Sequence, residues 1–330
     1  MMKIIKNLVA LVCLVLFSSA SYAETKMRIT LQLPLKSHLG QNLLVFKQEV
    51  EKRSDIKVEI YDSAQLYRDK EVPQAVGSGS IEAGVSGLTQ FAGTNPEVDL
   101  FDLPFLFNTE EKVKKGTAPG SEIRKILDGA IAKRGVTVLY YQAYGGAIML
   151  SKGKGMVSPA DFKDKKVRTF GKTLGEFAKS LGGKPTLISG SEQYLAYQRG
   201  TVDAGMTGVS GVKSRKLWQV MDTITVTNHS DIEFLVVVNT KWFNTLNAKQ
   251  KKAIQEASLI AEKAVRDAMS KIESDSYKAA KENGMKVVTL TDAQVAAFRK
   301  ASSVVIDEYI KKTGGKGGVG DRLVQIANKL

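Results

Sequence analysis

One cysteine and two histidines are all that this 330-residue chain offers to thiol and imidazole chemistry. Cys13 lies inside an N-terminal apolar run, so the remainder can form no disulfide, thiolate metal site or thiol nucleophile. His38 and His229 are far apart, and neither belongs to an HExxH or HxH pair, so neither a zinc site nor a Ser-His-Asp triad is supported. GxSxG is absent too. Apart from Leu8 to Phe17, no apolar stretch approaches the roughly 20 residues that a membrane span requires. The net charge is +14, yet the lysines and arginines are spread among acids, with no basic helix interleaved with aromatics. A solvated lysine surface accounts for them, so no nucleic-acid partner is expected, although such a surface attracts anions in general.

The N-terminus has its own pattern. Lys3 and Lys6 precede the apolar run, and Ser21-Tyr22-Ala23 supplies the small residues that a signal peptidase needs. Residues 1–23 are expected to be a cleaved export signal, leaving a mature chain from Glu24 with a net charge of 14 − 2 = +12 and no cysteine. Val12 before Cys13 does not suit a lipoprotein site.

What is present in quantity is α/β order. At 43% apolar and 25% charged residues, the chain has the composition of a soluble globular protein and length for two domains. One element occurs twice: residues 74–87 read QAVGSGSIEAGVSG and residues 195–208 read LAYQRGTVDAGMTG, an offset of 121 residues (195 − 74). Each copy is a helix ending in glycine, then a buried strand ending in Ser86-Gly87 or Thr207-Gly208. Two similar α/β lobes follow, with Ser86 and Thr207 expected to face one another beyond the carboxyl ends of their strands.

The second copy closes the most informative stretch, Lys163 to Gly208. There Lys166, Arg168 and Phe170 alternate with Val167 and Thr169 as on a strand, and the spacing then predicts two helices and the strand Thr201 to Met206. An arginine leaving such a sheet, with an aromatic two residues on, offers a planar fork of donors and an apolar plate to a carboxylate. The alternative is one more solvated charge after Lys163, Lys165 and Lys166. Tyr194 and Trp218 have, on spacing alone, the alternatives of core packing and ligand contact.

Elsewhere the pattern predicts strands over Met27–Leu33, Ile56–Tyr61, Val136–Tyr141 and Ile232–Asn239, with the chain leaving the first lobe at Gln142–Gly146 and Ala147–Ser151 starting the second. From Asn247, capped through Gln250, helical spacing runs to Gly284, on the order of 50 Å and long enough to span both lobes. The expected division is 24–146 with 232–270 for lobe I and 147–231 with 271–330 for lobe II. Gly315-x-Gly317-x-x-Gly320 follows a helix instead of a strand, and Ser151-x-x-Lys154 and Ser210-x-x-Lys213 lack supporting motifs, so no nucleotide cofactor or acyl enzyme is implied.

Five stretches in order carry a resemblance: Leu66 through the first repeat copy, Pro104–Phe107, Ala160–Arg168, Ala196–Asp203 and Val238–Leu246. Together they resemble the substrate-binding proteins of tripartite ATP-independent periplasmic (TRAP) transporters, of the dicarboxylate-binding-protein-like family. The resemblance implies a two-lobed, type II-like periplasmic binding fold with a long helix across both lobes. It implies a monomeric, non-enzymatic protein of the periplasm, without cofactor or metal, that closes on an organic acid and delivers it to a membrane permease. The family's carboxylate-anchoring arginine falls on Arg168, and its cleft residues fall near Phe170, Tyr194, Thr207 and Ser86. Gln142, Tyr144 and Trp218 are further candidates, and His38 and Lys213 are possible second anchors. Many members carry another arginine where this chain has Gly145-Gly146-Ala147, which argues for a ligand with a single carboxylate bearing a keto group, a hydroxyl or an apolar tail. The binding component of an ATP-driven importer and a secreted two-lobed hydrolase are the competing functions.

Overall fold

The computed structural model describes residues 24–93 and 95–330; the proposed export signal and Cys13 lie outside them. In the first lobe, β1 (Lys26–Thr30) leads through α1 (His38–Arg53) to β2 (Lys57–Tyr61), and α2 (Val72–Ser78) leads to β3 (Ala83–Gly87). Ser37 caps α1 by accepting from Gly40 N, which fixes where the helix leaves the sheet. After the 3₁₀ segment Pro96–Asp102 come α3 (Glu110–Thr117) and α4 (Glu122–Ala132), then β4 (Val136–Ser151).

The second lobe holds β5 (Lys166–Thr169), α5 (Lys172–Ser180), β6 (Lys184–Leu187), α6 (Gln193–Gln198), β7 (Ala204–Gly208), α7 (Val209–Ser214) and β8 (Thr223–Val226). The chain returns along β9 (Asp231–Asn239), then α8 (Thr240–Thr245), α9 (Ala248–Glu282), β10 (Lys286–Thr289), α10 (Asp292–Lys312) and α11 (Val319–Asn328). Between α5 and α6 the sequence pattern misses β6, a four-residue edge strand that tolerates Pro185 because only one side of it is paired.

Strand order β2-β1-β3-β9-β4 makes the first lobe, and β6-β5-β7-β4-β8 makes the second, with β10 outside β8. One strand is common to both. The strand was expected over Val136–Tyr141, with the change of lobe after it; instead 16 residues run unbroken as β4, the first part on β9 and Ala147–Ser151 on β7 and β8. Register shifts at Val138/Tyr140 and Ala143/Gly145, together with Gly145 at φ 93°, absorb the change of direction without ending the ladder.

The two repeat copies have one topology. β3 lies between parallel β1 and antiparallel β9, and β7 lies between parallel β5 and antiparallel β4. Both preceding helices end on a left-handed glycine, Gly79 (φ 82°) and Gly200 (φ 66°). The long helix spans both lobes as expected: α9 has 35 residues, opens on the Asn247–Gln250 capping box, and packs on α1 and β4 as well as on α7 and β10. The segment 292–330, expected with the second lobe, lies against both. Phe298, Val305 and Leu323 share one core with Val98 and Phe101 of the first lobe and with Phe162 and Phe177 of the second, and Tyr309 Oη donates to Glu97 O at 2.8 Å. Among the described residues no helix is long and apolar enough to cross a membrane.

Candidate functional site

The parallel strands β1, β3, β5 and β7 point their carboxyl ends at one another, and a partly open cavity lies between them. Lobe I contributes Gln32, Asp69, Asp102, Tyr144 and Phe234; lobe II contributes Arg168, Phe170, Gln193, Thr207 and Arg215. Hydrogen bonds tie the walls together outside it: Gln90 Nε2 donates to Phe170 O (2.6 Å), Thr173 Oγ1 to Asp99 Oδ2 (2.7 Å) and Ser191 N to Gln32 Oε1 (3.2 Å). The lobes are therefore closed on one another.

Arg168 is at the centre and is 2% exposed, which removes the solvated-charge alternative. Its Nε donates to Ile188 O at 3.0 Å and its Nη1 to Met206 O, so carbonyls of the adjoining segments fix the plane of the guanidinium. Its Cζ stands 5.2 Å from the centre of the Phe170 ring. Burial pushes its pKa down from the usual value, and Arg215 adds to this. Two of its five N–H donors are used, and it makes no ion pair among the described residues. A buried cation in this condition is complementary to a carboxylate presented from the cavity.

A second guanidinium is present. Arg215, just past α7, lines the same cavity and donates from Nη1 to Tyr144 Oη at 3.2 Å. Gly145–Ala147, on β4, lacks the second arginine that many relatives carry there; here a second one arrives from the loop after the β7–α7 unit, in a Ser214-Arg215-Lys216 run indistinguishable from surface charge. Two acids on the opposite wall were also missed. Asp69 accepts from Gly87 N (2.9 Å), and burial raises its pKa against that hydrogen bond. Burial and the neighbouring Asp99 charge raise Asp102 well above the usual carboxylate range.

Of the residues singled out from sequence, the structure brings Arg168, Phe170, Thr207 and Tyr144 together around the cavity. It places five elsewhere. Ser86 turns back into its own lobe, donating to Asp69 O at 3.0 Å, and its neighbour Gly87 takes the cavity wall. Gln142 is held beneath the surface by Asn42 Oδ1 (2.7 Å) and Leu39 O. Tyr194 and Trp218 pack against the lobe II core, Tyr194 Oη donating to Gln219 Oε1, so on α6 it is Gln193 that faces the ligand space. His38 lines a different cavity with Lys213. Burial pushes its pKa down to about 4, so near neutrality it is uncharged and cannot anchor an anion; Nε2 donates to Ala143 O, and the ring braces Tyr144 at 5.2 Å. Among the described residues no group of three or more His, Cys, Asp or Glu stands so as to hold a metal.

The family described as "Bacterial extracellular solute-binding protein, family 7" (DctP) matches residues 31–313. The C4-dicarboxylate-binding periplasmic protein DctP of Rhodobacter capsulatus is 27% identical over 282 residues, covering 84% of each chain. The 2,3-diketo-L-gulonate-binding periplasmic protein YiaO of Escherichia coli is 28% identical over 267 residues, 78% of each chain. A TRAP periplasmic solute-binding protein from Sulfurospirillum deleyianum, solved with bound succinate, superimposes with a TM-score of 0.85 at 24% identity, over 93% of this chain and 99% of that one. The resemblance read from the sequence motifs thus extends to the whole fold, and the chain belongs to family 7 of the bacterial extracellular solute-binding proteins, a family of substrate-binding proteins of TRAP transport systems.

Proposed function

We propose that this protein captures a small organic acid in the periplasm, anchors its carboxylate on Arg168 between the lobes, and delivers it to the membrane permease of a TRAP transporter. The observation that carries this is the buried guanidinium, held in plane by Ile188 O and Met206 O and left without a counter-ion among the described residues. Family membership favours the tripartite system over an ATP-driven importer, which would use a similar fold. The N-terminal 23 residues serve as the export signal.

A single carboxylate fits the walls best. Arg215 supplies a second positive charge, but it is engaged by Tyr144; Asp69, within reach of both arginine charges, and Asp102 line the cavity from the other lobe. Such a site suits a negative group at the arginine wall and hydrogen-bonding groups at the acidic one.

Calorimetric titration with a panel of mono- and dicarboxylates, on the wild type and on Arg168→Ala and Arg168→Lys, tests the proposal. Removing the anchor leaves a desolvated carboxylate, which costs about 2–5 kcal/mol, or about 30-fold to several thousand-fold in affinity. An Ala variant within threefold of wild type refutes the anchor, and a dicarboxylate as tightest ligand refutes the single-carboxylate assignment.

A further inference from the structure

The repeat supplies an internal reference for the cavity wall. Val72 and Gln193 are equivalent positions, 121 residues apart, and each is the first residue of its helix, α2 or α6. Both are fully buried. Val72 closes the lobe I core and needs no partner. Gln193 faces the interlobe cavity, and neither its Oε1 nor its Nε2 has a hydrogen-bond partner. Asp102, 5% exposed at the end of the Pro96–Asp102 segment, lines the same cavity, and its Oδ2 is left over beside Thr89, whose hydroxyl donates to Asp99 Oδ1 at 2.6 Å. Buried polar groups are ordinarily satisfied, and leaving an amide without partners opposes folding. A position that could hold valine, as its counterpart does, holds an amide instead.

We infer that Gln193 and Asp102 form a hydroxyl-reading subsite beside the Arg168 carboxylate site, so that the acid captured here is a hydroxy acid. The inference rests on Arg168 as the carboxylate anchor and adds the class of acid. The orphaned atoms select among functional groups. Gln193 Nε2 needs an acceptor and Oε1 needs a donor, and a hydroxyl is both. A keto oxygen or a second carboxylate only accepts, which leaves Oε1 unpaired. An ammonium only donates, which leaves Nε2 unpaired; it also needs a negative Asp102, whose ionisation is opposed by burial and by Asp99.

The test is a calorimetric comparison of hydroxy acids with their deoxy counterparts: glycerate with propionate, 2,3-dihydroxybutyrate with butyrate, and gluconate with hexanoate. A site built around a hydroxyl rejects the analogue lacking it, so at least one pair should differ by about 30-fold or more. Gln193→Met should reduce that ratio below about threefold and raise the melting temperature of the ligand-free protein by removing the orphaned amide. Asp102→Leu should collapse the ratio as well, and it carries the test if the Met variant does not fold. Arg168→Ala should weaken both members of a pair alike and preserve the ratio. If that variant binds as the wild type does, the anchor fails while the ratio still decides the subsite. If no hydroxy acid exceeds its counterpart by tenfold, whether both bind or neither does, the inference is overturned. Tighter binding of 2-aminobutyrate than of 2-hydroxybutyrate overturns it too, in favour of an ammonium at Asp102.

Discussion

The two lobes use one frame for two purposes, and the difference is visible position by position. Arg168 pairs with Gly205 on β7 just as Thr30 pairs with Gly84 on β3, so Thr30 is the first-lobe equivalent of the arginine proposed as the anchor. Thr30 is fully buried, and its hydroxyl sits against the backbone of Tyr67, donating to Tyr67 O (3.4 Å) and accepting from Tyr67 N (3.3 Å). Val72 against Gln193, and Val76 against Tyr197, repeat the contrast: apolar closure in lobe I, a polar group in lobe II. Gly84 faces Val72 and Val76, whereas Gly205 lies under the hydroxyl of Tyr197, whose burial pushes its pKa up to about 12. Lobe I spent this face of the repeat on its core. Lobe II turns polar groups of this face, Arg168 and Gln193, to the cavity, and the acids of lobe I come from loops outside the repeated strand.

Exchanging the equivalent residues should therefore produce opposite phenotypes. Arg168→Thr, which writes the lobe I residue into lobe II, should weaken carboxylate binding by about 30-fold to several thousand-fold. Thr30→Val should leave affinity within twofold and lower stability by about 1 kcal/mol, the worth of its hydrogen bonds to Tyr67. Titration calorimetry and denaturant unfolding of the two variants give both numbers. Equal losses of affinity would mean that the lobes share the anchor.

The sequence carried the frame because the frame is local. Gly79 and Gly200 mark helix ends that need a left-handed residue, Asn247 and Gln250 cap α9, and Lys166 to Phe170 alternates as a strand does. Rotation about those frames is not local. Ser86 and Tyr194 were each one residue from the group that faces the cavity, Gly87 and Gln193, because packing of the short β3 and α6 decides which side turns inward. Asp69, Asp102 and Arg215 reach the site from turns whose course depends on tertiary contacts, and nothing in their immediate sequence distinguishes them from surface charges. The continuity of β4 was hidden by Gly145-Gly146, which reads as a break when the partner strand β9, some 90 residues away in sequence, is out of view.

Acid should sharpen the contrast between the titratable groups that recognise and those that pack. His229, between β8 and β9, is fully buried, stacked on Phe177 at 4.7 Å, with Nδ1 on Thr227 Oγ1 at 2.7 Å. Burial pushes its pKa down to about 3. Unfolded, it would titrate near 6.5, so between those values the unfolded chain binds the extra proton and stability falls as pH falls. By pH 4.5 this removes about 2–3 kcal/mol that is fully present above 6.5. Buried carboxyls raised by desolvation, such as Asp102 and Asp231, act with the opposite sign, losing their contribution as pH rises. The imidazole is isolated by difference: His229→Leu should lose about 2–3 kcal/mol less than wild type between pH 6.5 and 4.5 in urea unfolding. Parallel pH profiles for the two proteins would show that His229 is not held neutral.

The smallest effect should come from the rim, where the two copies of the repeat meet one arginine. Glu71 and Glu192 are equivalent, 121 residues apart, and Arg68 binds both: Nε and Nη2 go to Glu71 Oε1 within lobe I, and Nη1 goes to Glu192 Oε1 across the cleft at 3.0 Å. The first pair is made within one lobe and is indifferent to opening, whereas the second must break when the lobes part. Only the second can bias closure. The side chains of Arg68 and Glu192 are 44% and 41% exposed, so solvent and salt screen the attraction and little of it survives as affinity. Glu192→Gln should weaken ligand binding by less than about fivefold at low salt, with the difference vanishing near 1 M salt, and Glu71→Gln should leave affinity unchanged. A loss beyond tenfold for Glu192→Gln, or a loss that persists in high salt, would make the rim pair a principal closure contact and remove the distinction between a recognising interior and a neutral edge.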